Sequence, residues 1–343
     1  MINISTRAIQ RLIILFIFLA MCIVLSFLTE YFFTTVNISN VLQQISTLII
    51  TSCGATFVMV SGGIDLSVGG VVALSGVLSA GLAGKGVPLP LCFAAGILAG
   101  TLIGMLNGFL VSVTRIISII ATLGTMWVSR GIAYIYTTSY TKGALSIVTG
   151  IPSSFRMLGR GKIGGFPLNV MIAIIIFIIC YIFLRYSIFG LRTYSVGSNE
   201  EATRRFGINT SKHKFFVYML AGSLSGISGI LLASRLSSGE PSAGLGFEFD
   251  VIVAVILGGT SLHGGEGTML GTLIGALFVG VLYNALNLLQ VQTFYRYIVL
   301  GTILITAVVI DENLKRQDIK ALRLRISLFQ QSGHRRGTSQ KER

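Results

Sequence analysis

Gly62-Gly63-Ile64-Asp65-Leu66-Ser67-Val68-Gly69-Gly70 joins two apolar runs, residues 41–61 and 66–84, whose only charged side chain lies between them, at Asp65. Each run approaches the length of about 20 residues that a helix needs to cross a bilayer. The chain thus crosses, turns on a glycine-rich break and crosses back. Outward from this pair, further apolar runs occupy residues 12–28, 89–113, 116–137, 168–186, 215–234, 249–262, 269–289 and 297–310, which makes ten. Of the 343 residues 53% are hydrophobic and only 11% charged, against about 25% charged in a soluble domain. A water-soluble globule is excluded. The fold class expected is an all-α polytopic membrane protein with about ten transmembrane helices.

Residues 12–28 follow Arg7 and Arg11 as a secretory signal would, but Leu28-Thr29-Glu30-Tyr31-Phe32 offers no small-residue cleavage site, so the run is read as an uncleaved span. With the N-terminus inside, cytoplasmic segments hold 18 of the 26 Lys and Arg residues and outer loops seven. The positive-inside rule then places both termini in the cytoplasm. The expected division is a cytoplasmic N-terminus (1–11), a transmembrane domain (12–311) with a cytoplasmic loop at 190–214, and a basic cytoplasmic tail (312–343). The net charge of +14 is topological in this reading and not the mark of a nucleic-acid partner. Cys22, Cys53, Cys92 and Cys180 lie in apolar runs with no C-x-x-C pair, and His213, His263 and His334 are scattered, so neither a disulfide framework nor a metal site is expected. Arg130 stands about 21 Å along the fifth span and is expected to snorkel to the outer interface, with a partner inside the bundle as the alternative.

Gly96, Gly100, Gly104 and Gly108 recur every four residues in the fourth span, with Gly222 and Gly226 in the seventh and Gly267, Gly271 and Gly275 around the ninth. Such stripes let helix backbones approach in lipid. A second break, Gly258-Gly259-Thr260-Ser261-Leu262-His263-Gly264-Gly265, echoes the first with one residue fewer. Paired glycine-interrupted segments in two halves point to a translocation pathway. Asp65 is read as a cap for the amides of Leu66-Ser67-Val68, with contact to a transported solute as the alternative. Asp250, beside Glu248, carries the same ambiguity.

Neither Gly159-Arg160-Gly161-Lys162-Ile163 nor Gly84-Lys85-Gly86 has the spacing or hydroxyl residue of a phosphate-cradling G-x-x-x-x-G-K-[ST] loop. No relay of intramembrane carboxylates stands in its place, so energy for uphill transport would come from another protein. Within the cytoplasmic loop, Ser198-Asn199-Glu200-Glu201 reads as a capping box, Ala202-Thr203-Arg204-Arg205-Phe206 as a short helix and Gly207 as its stop. In the tail, Ile319, Leu322, Ile326 and Phe329 fall at helical spacing among basic residues, the pattern of a helix lying on anionic lipid.

Four strings share one further pattern. Val60-Ser61-Gly62-Gly63-Ile64-Asp65-Leu66-Ser67-Val68-Gly69, Ala121-Thr122-Leu123-Gly124-Thr125, Val196-Gly197-Ser198-Asn199-Glu200-Glu201-Ala202 with Gly207-Ile208-Asn209, and Leu257-Gly258-Gly259-Thr260-Ser261-Leu262 with Gly264-Gly265 and Gly267-Thr268 resemble the ribose-type sugar permeases of bacterial ATP-binding-cassette importers. The likeness runs from about residue 37 to residue 311. Arg115-Ile116-Ile117-Ser118-Ile119 stands where the pattern often has proline, and Phe206 where it often has a small residue.

The resemblance implies a multi-pass permease subunit of the bacterial inner (plasma) membrane, an importer of a monosaccharide that does no bond chemistry itself. It implies a second permease chain, identical or related, and a periplasmic or lipid-anchored sugar-binding protein. No cofactor is expected on this chain, ATP and Mg belonging to cytoplasmic ATPase subunits. The family's coupling helix falls on Asn199, Glu200, Glu201, Ala202, Arg204, Arg205, Phe206, Gly207 and Ile208. Ala202, Phe206 and Gly207 are the expected contacts to the ATPase, while the four charged residues orient the helix and pair with the partner's rim. Gly62, Gly63, Asp65, Ser67, Asn107, Thr122, Gly258, Gly259 and Thr260 are the expected path elements. Rival readings are a stand-alone ion-coupled carrier or facilitator, built on Asp65, Asp250 and Arg130, and a membrane scaffold. A sugar-like signal or a nucleoside is the alternative substrate.

Overall fold

The computed structural model describes residues 6–144, 146–292 and 294–313, with side chains from residue 13 onward. Its helices in chain order are α1 (Thr6–Leu28), α2 (Thr35–Val60), α3 (Val68–Gly84), α4 (Leu89–Ser112), α5 (Ser118–Thr141), α6 (Ser153–Arg160), α7 (Leu168–Tyr186), α8 (Ile188–Ser198), α9 (Glu200–Arg205), α10 (Thr210–Leu236), α11 (Phe247–Leu257), α12 (Met269–Leu288) and α13 (Phe294–Asn313). One two-residue hairpin, β1 (Lys162–Ile163) and β2 (Phe166–Pro167), precedes α7. Residues 1–5 and the tail from 314, with its amphipathic pattern, lie outside the described residues.

Each apolar run lies in or along a helix, and among the described residues six helices, α2, α4, α7, α10, α12 and α13, are long and apolar enough by themselves to cross a membrane. The run at 249–262 departs from expectation. Its helix, α11, has 11 residues, about 16 Å, half of a ~30 Å hydrocarbon core. Left-handed Gly246 (φ 77°) opens it and the Gly258-Gly259 turn closes it, so the apolar residues beyond 257 belong to the second break. At the start of α5 the turn is made by Arg115, whose φ is 58°.

Helix α10 runs through the middle of the bundle, and the glycine stripes decide how. A Cβ added at Gly100 would strike the carbonyl of Gly222 and come within 2.8 Å of the Cα of Gly226, while one at Gly108 would lie 2.9 Å from the Cα of Phe215. The stripes of α4 and α10 therefore face each other. The third stripe serves differently: Gly271 and Gly275 seat α12 against the end of α11, and Gly267 precedes the helix. Lipid tails give apolar side chains no reason to hide, so this packing rests on close backbone contact and interhelical hydrogen bonds. Thr51 to Ser228 at 2.8 Å, Thr56 to Thr272 at 2.7 Å and Thr101 to Ser223 at 2.8 Å are such bonds. Gly222→Leu is expected to yield no monodisperse protein, and Gly131→Leu, with nothing within 4 Å of its Cβ position, to yield folded, monodisperse protein. Size-exclusion chromatography of the detergent-solubilised variants checks both.

Candidate functional site

The first break is held open by side chains. Ile64 donates its amide to the Ser118 hydroxyl at 3.2 Å, and Leu66 donates to Thr122 Oγ1 at 3.0 Å. The Tyr218 hydroxyl donates to the Ile64 carbonyl at 3.4 Å, and a Cβ on Gly63 would meet that same hydroxyl. An irregular segment packed inside the bundle has no helical backbone partners of its own, and these hydroxyls supply them. Asp65 Oδ1 accepts from the amide of Ser67 at 2.8 Å and from its hydroxyl at 2.6 Å. The cap expected at Asp65 is thus an i to i+2 turn on Ser67 alone, while Ser67 itself holds the N-cap position of α3.

From Ser67 the network continues, with Asn107 Nδ2 donating to its hydroxyl at 2.8 Å and Thr125 Oγ1 donating to Asn107 Oδ1 at 2.6 Å. Asp65, Ser67, Asn107, Thr122 and Thr125 are all buried. One hydrogen-bonded chain therefore joins the break to α4 and α5.

The second break repeats the backbone of the first. Gly62 (φ 82°) and Gly259 (φ 83°) are the left-handed residues that end α2 and α11, and the next amide in each case, of Gly63 or Thr260, bonds back to the carbonyl of Val58 or Val255. The true register pairs Gly62 with Gly259, one residue away from the alignment by glycine pairs. Three residues beyond the first left-handed glycine, Asp65 makes its turn on Ser67; two beyond the second, Ser261 accepts from the amide of His263 at 3.3 Å. Thr260 is fully buried, and its hydroxyl has no hydrogen-bond partner among the described residues. The two breaks touch: the Gly265 amide donates to the Val60 carbonyl at 2.8 Å, and a Cβ on Gly264 would lie 2.7 Å from the Cα of Gly62.

Against this junction rests α8. A Cβ on Gly197 would strike the Val60 carbonyl and lie 2.5 Å from the Gly265 amide, and Tyr194 donates to the Gly267 carbonyl at 2.8 Å. His213 Nε2 and Thr193 Oγ1, 2.9 Å apart, tie α8 to α10. The next helix, α9, is capped by Asn199, whose Oδ1 accepts from the Ala202 amide at 2.9 Å. Ser198 is the last residue of α8, so the expected capping box is replaced by an asparagine cap. Gly207 ends the helix at φ 84°, as its sequence position implied.

Thr203 turns inward and donates to the Ser195 carbonyl at 2.8 Å, while Phe206 stands 86% exposed. Glu200 pairs with Arg204 at 2.8 Å and Lys214 at 2.5 Å, and Glu201 pairs with Arg205 at 2.5 Å. The four charges expected to meet a partner's rim thus engage one another first, and Glu200 and Arg204 both reach α10, Glu200 at Lys214 and Arg204 at Thr210. Burial works to raise the Glu200 pKa, but Lys214, with Thr210 and Arg204, outweighs it and holds the carboxyl below its usual range. A depressed folded pKa means that the tie is complete above the unfolded carboxylate pKa of about 4.3 and is lost as pH falls through the lower folded value. Glu200→Gln is expected to remove that acid dependence and to speed hydrogen exchange of the 200–205 amides at neutral pH.

Two charged positions fall elsewhere. Arg130 is not free to snorkel: it is buried, donating to the carbonyls of Pro241 at 2.8 Å, Ala243 at 3.2 Å and Gly244 at 3.3 Å. The loop that follows α10 supplies those acceptors, which the spacing of Arg130 in its own helix could not reveal. Asp250 accepts from Tyr283 and pairs with Arg296 at 3.1 Å, joining α11, α12 and α13. Ser118, Thr125, Lys214 and Tyr218 were not legible as site residues, since each acts on a segment remote in sequence.

Residues 37–308 match the family described as branched-chain amino acid transport system / permease component. A ribose import permease protein of Bacillus subtilis is 42% identical over 291 residues, covering 84% of this chain and 88% of its own. One from Haemophilus influenzae is 40% identical over 294 residues, covering 85% and 90%. An L-arabinose ABC transporter permease protein of Azospirillum brasilense is 36% identical over 311 residues, covering 91% and 90%. No solved structure matches the chain. The doubled glycine break and the capped loop helix are thus features of a chain that belongs to this permease-component family, among its ribose-type members, as a multi-pass transport subunit of the inner membrane.

Proposed function

We propose that this chain is the membrane-spanning subunit of an ATP-driven monosaccharide importer, with ten crossings and both termini in the cytoplasm. The observation that carries the reading is the joint at which Gly197 of α8, next to α9, meets both glycine breaks. Cytoplasmic ATPase subunits, which hold ATP and Mg, engage Ala202, Phe206 and Gly207, and their closure moves α9 and α8 against the breaks. A second permease chain completes the path, and an external sugar-binding protein delivers the substrate. The uncovered apolar side chains of α5 and α13, including Trp127, Ile135, Ile298 and Ile305, support a partner or lipid on those faces. Asp65, Ser67, Asn107, Thr122 and Thr260 are the polar groups nearest the path. The sugars named for the relatives, ribose and L-arabinose, favour a monosaccharide over a nucleoside.

The test is ATP hydrolysis by the chain in proteoliposomes with its ATPase and binding protein, across pentoses, hexoses and nucleosides. Stimulation that needs all three proteins and one sugar is the expected result. Uptake driven by an ion gradient with the ATPase absent would overturn it in favour of a carrier.

A further inference from the structure

We propose that the half-open cavity bordered by α2, α10, α11, α12 and α13 is a monosaccharide subsite, in which Gln44 and Arg235 hydrogen-bond sugar hydroxyls beside a polar group of Asp250, Tyr283 and Arg296. The inference rests on the monosaccharide reading above and adds to it a place and a set of residues. The cavity has a volume of about 200 Å³, which admits one aldose ring. Five helices each bring a polar side chain to it: Gln44 from α2, Arg235 from α10, Asp250 from α11, Tyr283 from α12 and Arg296 from α13. A charged or polar side chain partly withdrawn from water is costly unless it is paired or hydrogen-bonded.

Pairing accounts for only part of this set. Asp250 accepts from Tyr283 and Arg296, and the Arg296 guanidinium lies 3.5 Å from the centroid of the Tyr283 ring. The side chains of Gln44 and Arg235 make no hydrogen bond or ion pair with any other described residue, although both are partly buried at the cavity wall. An unpaired guanidinium and an unpaired amide facing one small space want acceptors and donors together. A neutral polyol supplies both from each hydroxyl. A cation does not fit, since the two guanidiniums outnumber the single carboxylate.

The position also suits a solute in transit. Gly244 and Leu245 form part of the wall, and the Gly244 carbonyl is taken from the other side by Arg130. That glycine also lies against Gly69 at the start of α3. One layer of backbone therefore separates the cavity from the helix that follows the first break.

The test uses the assembled permease, ATPase and binding protein in proteoliposomes, with the transported sugar. Arg235→Gln and Gln44→Ala are each expected to lower uptake about tenfold, and Arg235→Lys to recover part of the loss. In a background lacking the four native cysteines, Gln44→Cys labelled by a small water-soluble thiol reagent is expected to react several-fold more slowly with millimolar sugar present. Wild-type uptake with unchanged uptake in both variants overturns the subsite while the importer reading stands. Protection of Gln44→Cys by an anionic phospholipid or inorganic phosphate and not by sugar also overturns it, assigning the cavity to a phosphate. If the wild type moves no sugar, the importer reading itself has failed and takes the subsite with it. Should a variant lose the ATPase on purification, the labelling result decides.

Discussion

Phe206→Asp is expected to strip the ATPase from the purified permease and bring uptake to background while leaving the membrane-embedded fold as it was. Phe206 is 86% exposed and contributes only its backbone to α9, donating its amide to the Ala202 carbonyl at 3.1 Å. No packing inside the chain is therefore lost. Across an interface the same ring is an anchor: burying a phenylalanine is worth about 1.5–3 kcal/mol, and a carboxylate forced into its place must also be desolvated. A combined loss of ~3 kcal/mol or more corresponds to weakening beyond a hundredfold. Copurification and uptake report the effect, and thermal unfolding of the permease alone is the control. Retained ATPase with undiminished uptake would remove α9 as the contact.

Arg130→Ala should be the most destabilising substitution outside the glycine contacts. Three carbonyls of the 241–244 loop accept from one guanidinium. Removing it leaves the Pro241 and Ala243 carbonyls without that donor, while Gly244 keeps the Phe247 amide at 3.2 Å; the cost is about 1–3 kcal/mol for each buried acceptor left unsatisfied. Arg130→Lys is expected to recover part of the loss, because a single ammonium lacks the planar fork that spans separated acceptors. The checks are the melting temperature in detergent and hydrogen exchange of the 241–247 amides. An unchanged melting temperature would mean that other donors had replaced the guanidinium.

The architecture was largely legible because lipid imposes a simple rule, that backbone groups be satisfied within each helix and that apolar side chains face outward. The ten apolar runs, the α4 and α10 stripes and the stop at Gly207 all follow from local spacing. What the spacing misjudged was anything set by a distant segment. The 249–262 run is uniformly apolar, so nothing local shows that its helix stops at Leu257. Arg130 was expected to snorkel because its acceptors come from residues more than 110 positions later. The candidate path shows the same division: Asp65 and the two glycine breaks stand out in the sequence, whereas Ser118 and Tyr218, which hold the first break open, read as ordinary helix residues.

The contact among Gly62, Gly197, Gly264 and Gly265 has a mechanical meaning. Side chains act as springs, since a rotamer can swing and absorb a displacement before the backbone behind it moves. At this junction main chain bears on main chain, save for the Ser198 hydroxyl against Gly265. In the proposed importer, a push arriving along α8 would be delivered with little damping, and at the same instant, to both breaks. Replacing any one of these glycines would insert slack as well as bulk, so the two halves would lose their synchrony even in a protein that still folds.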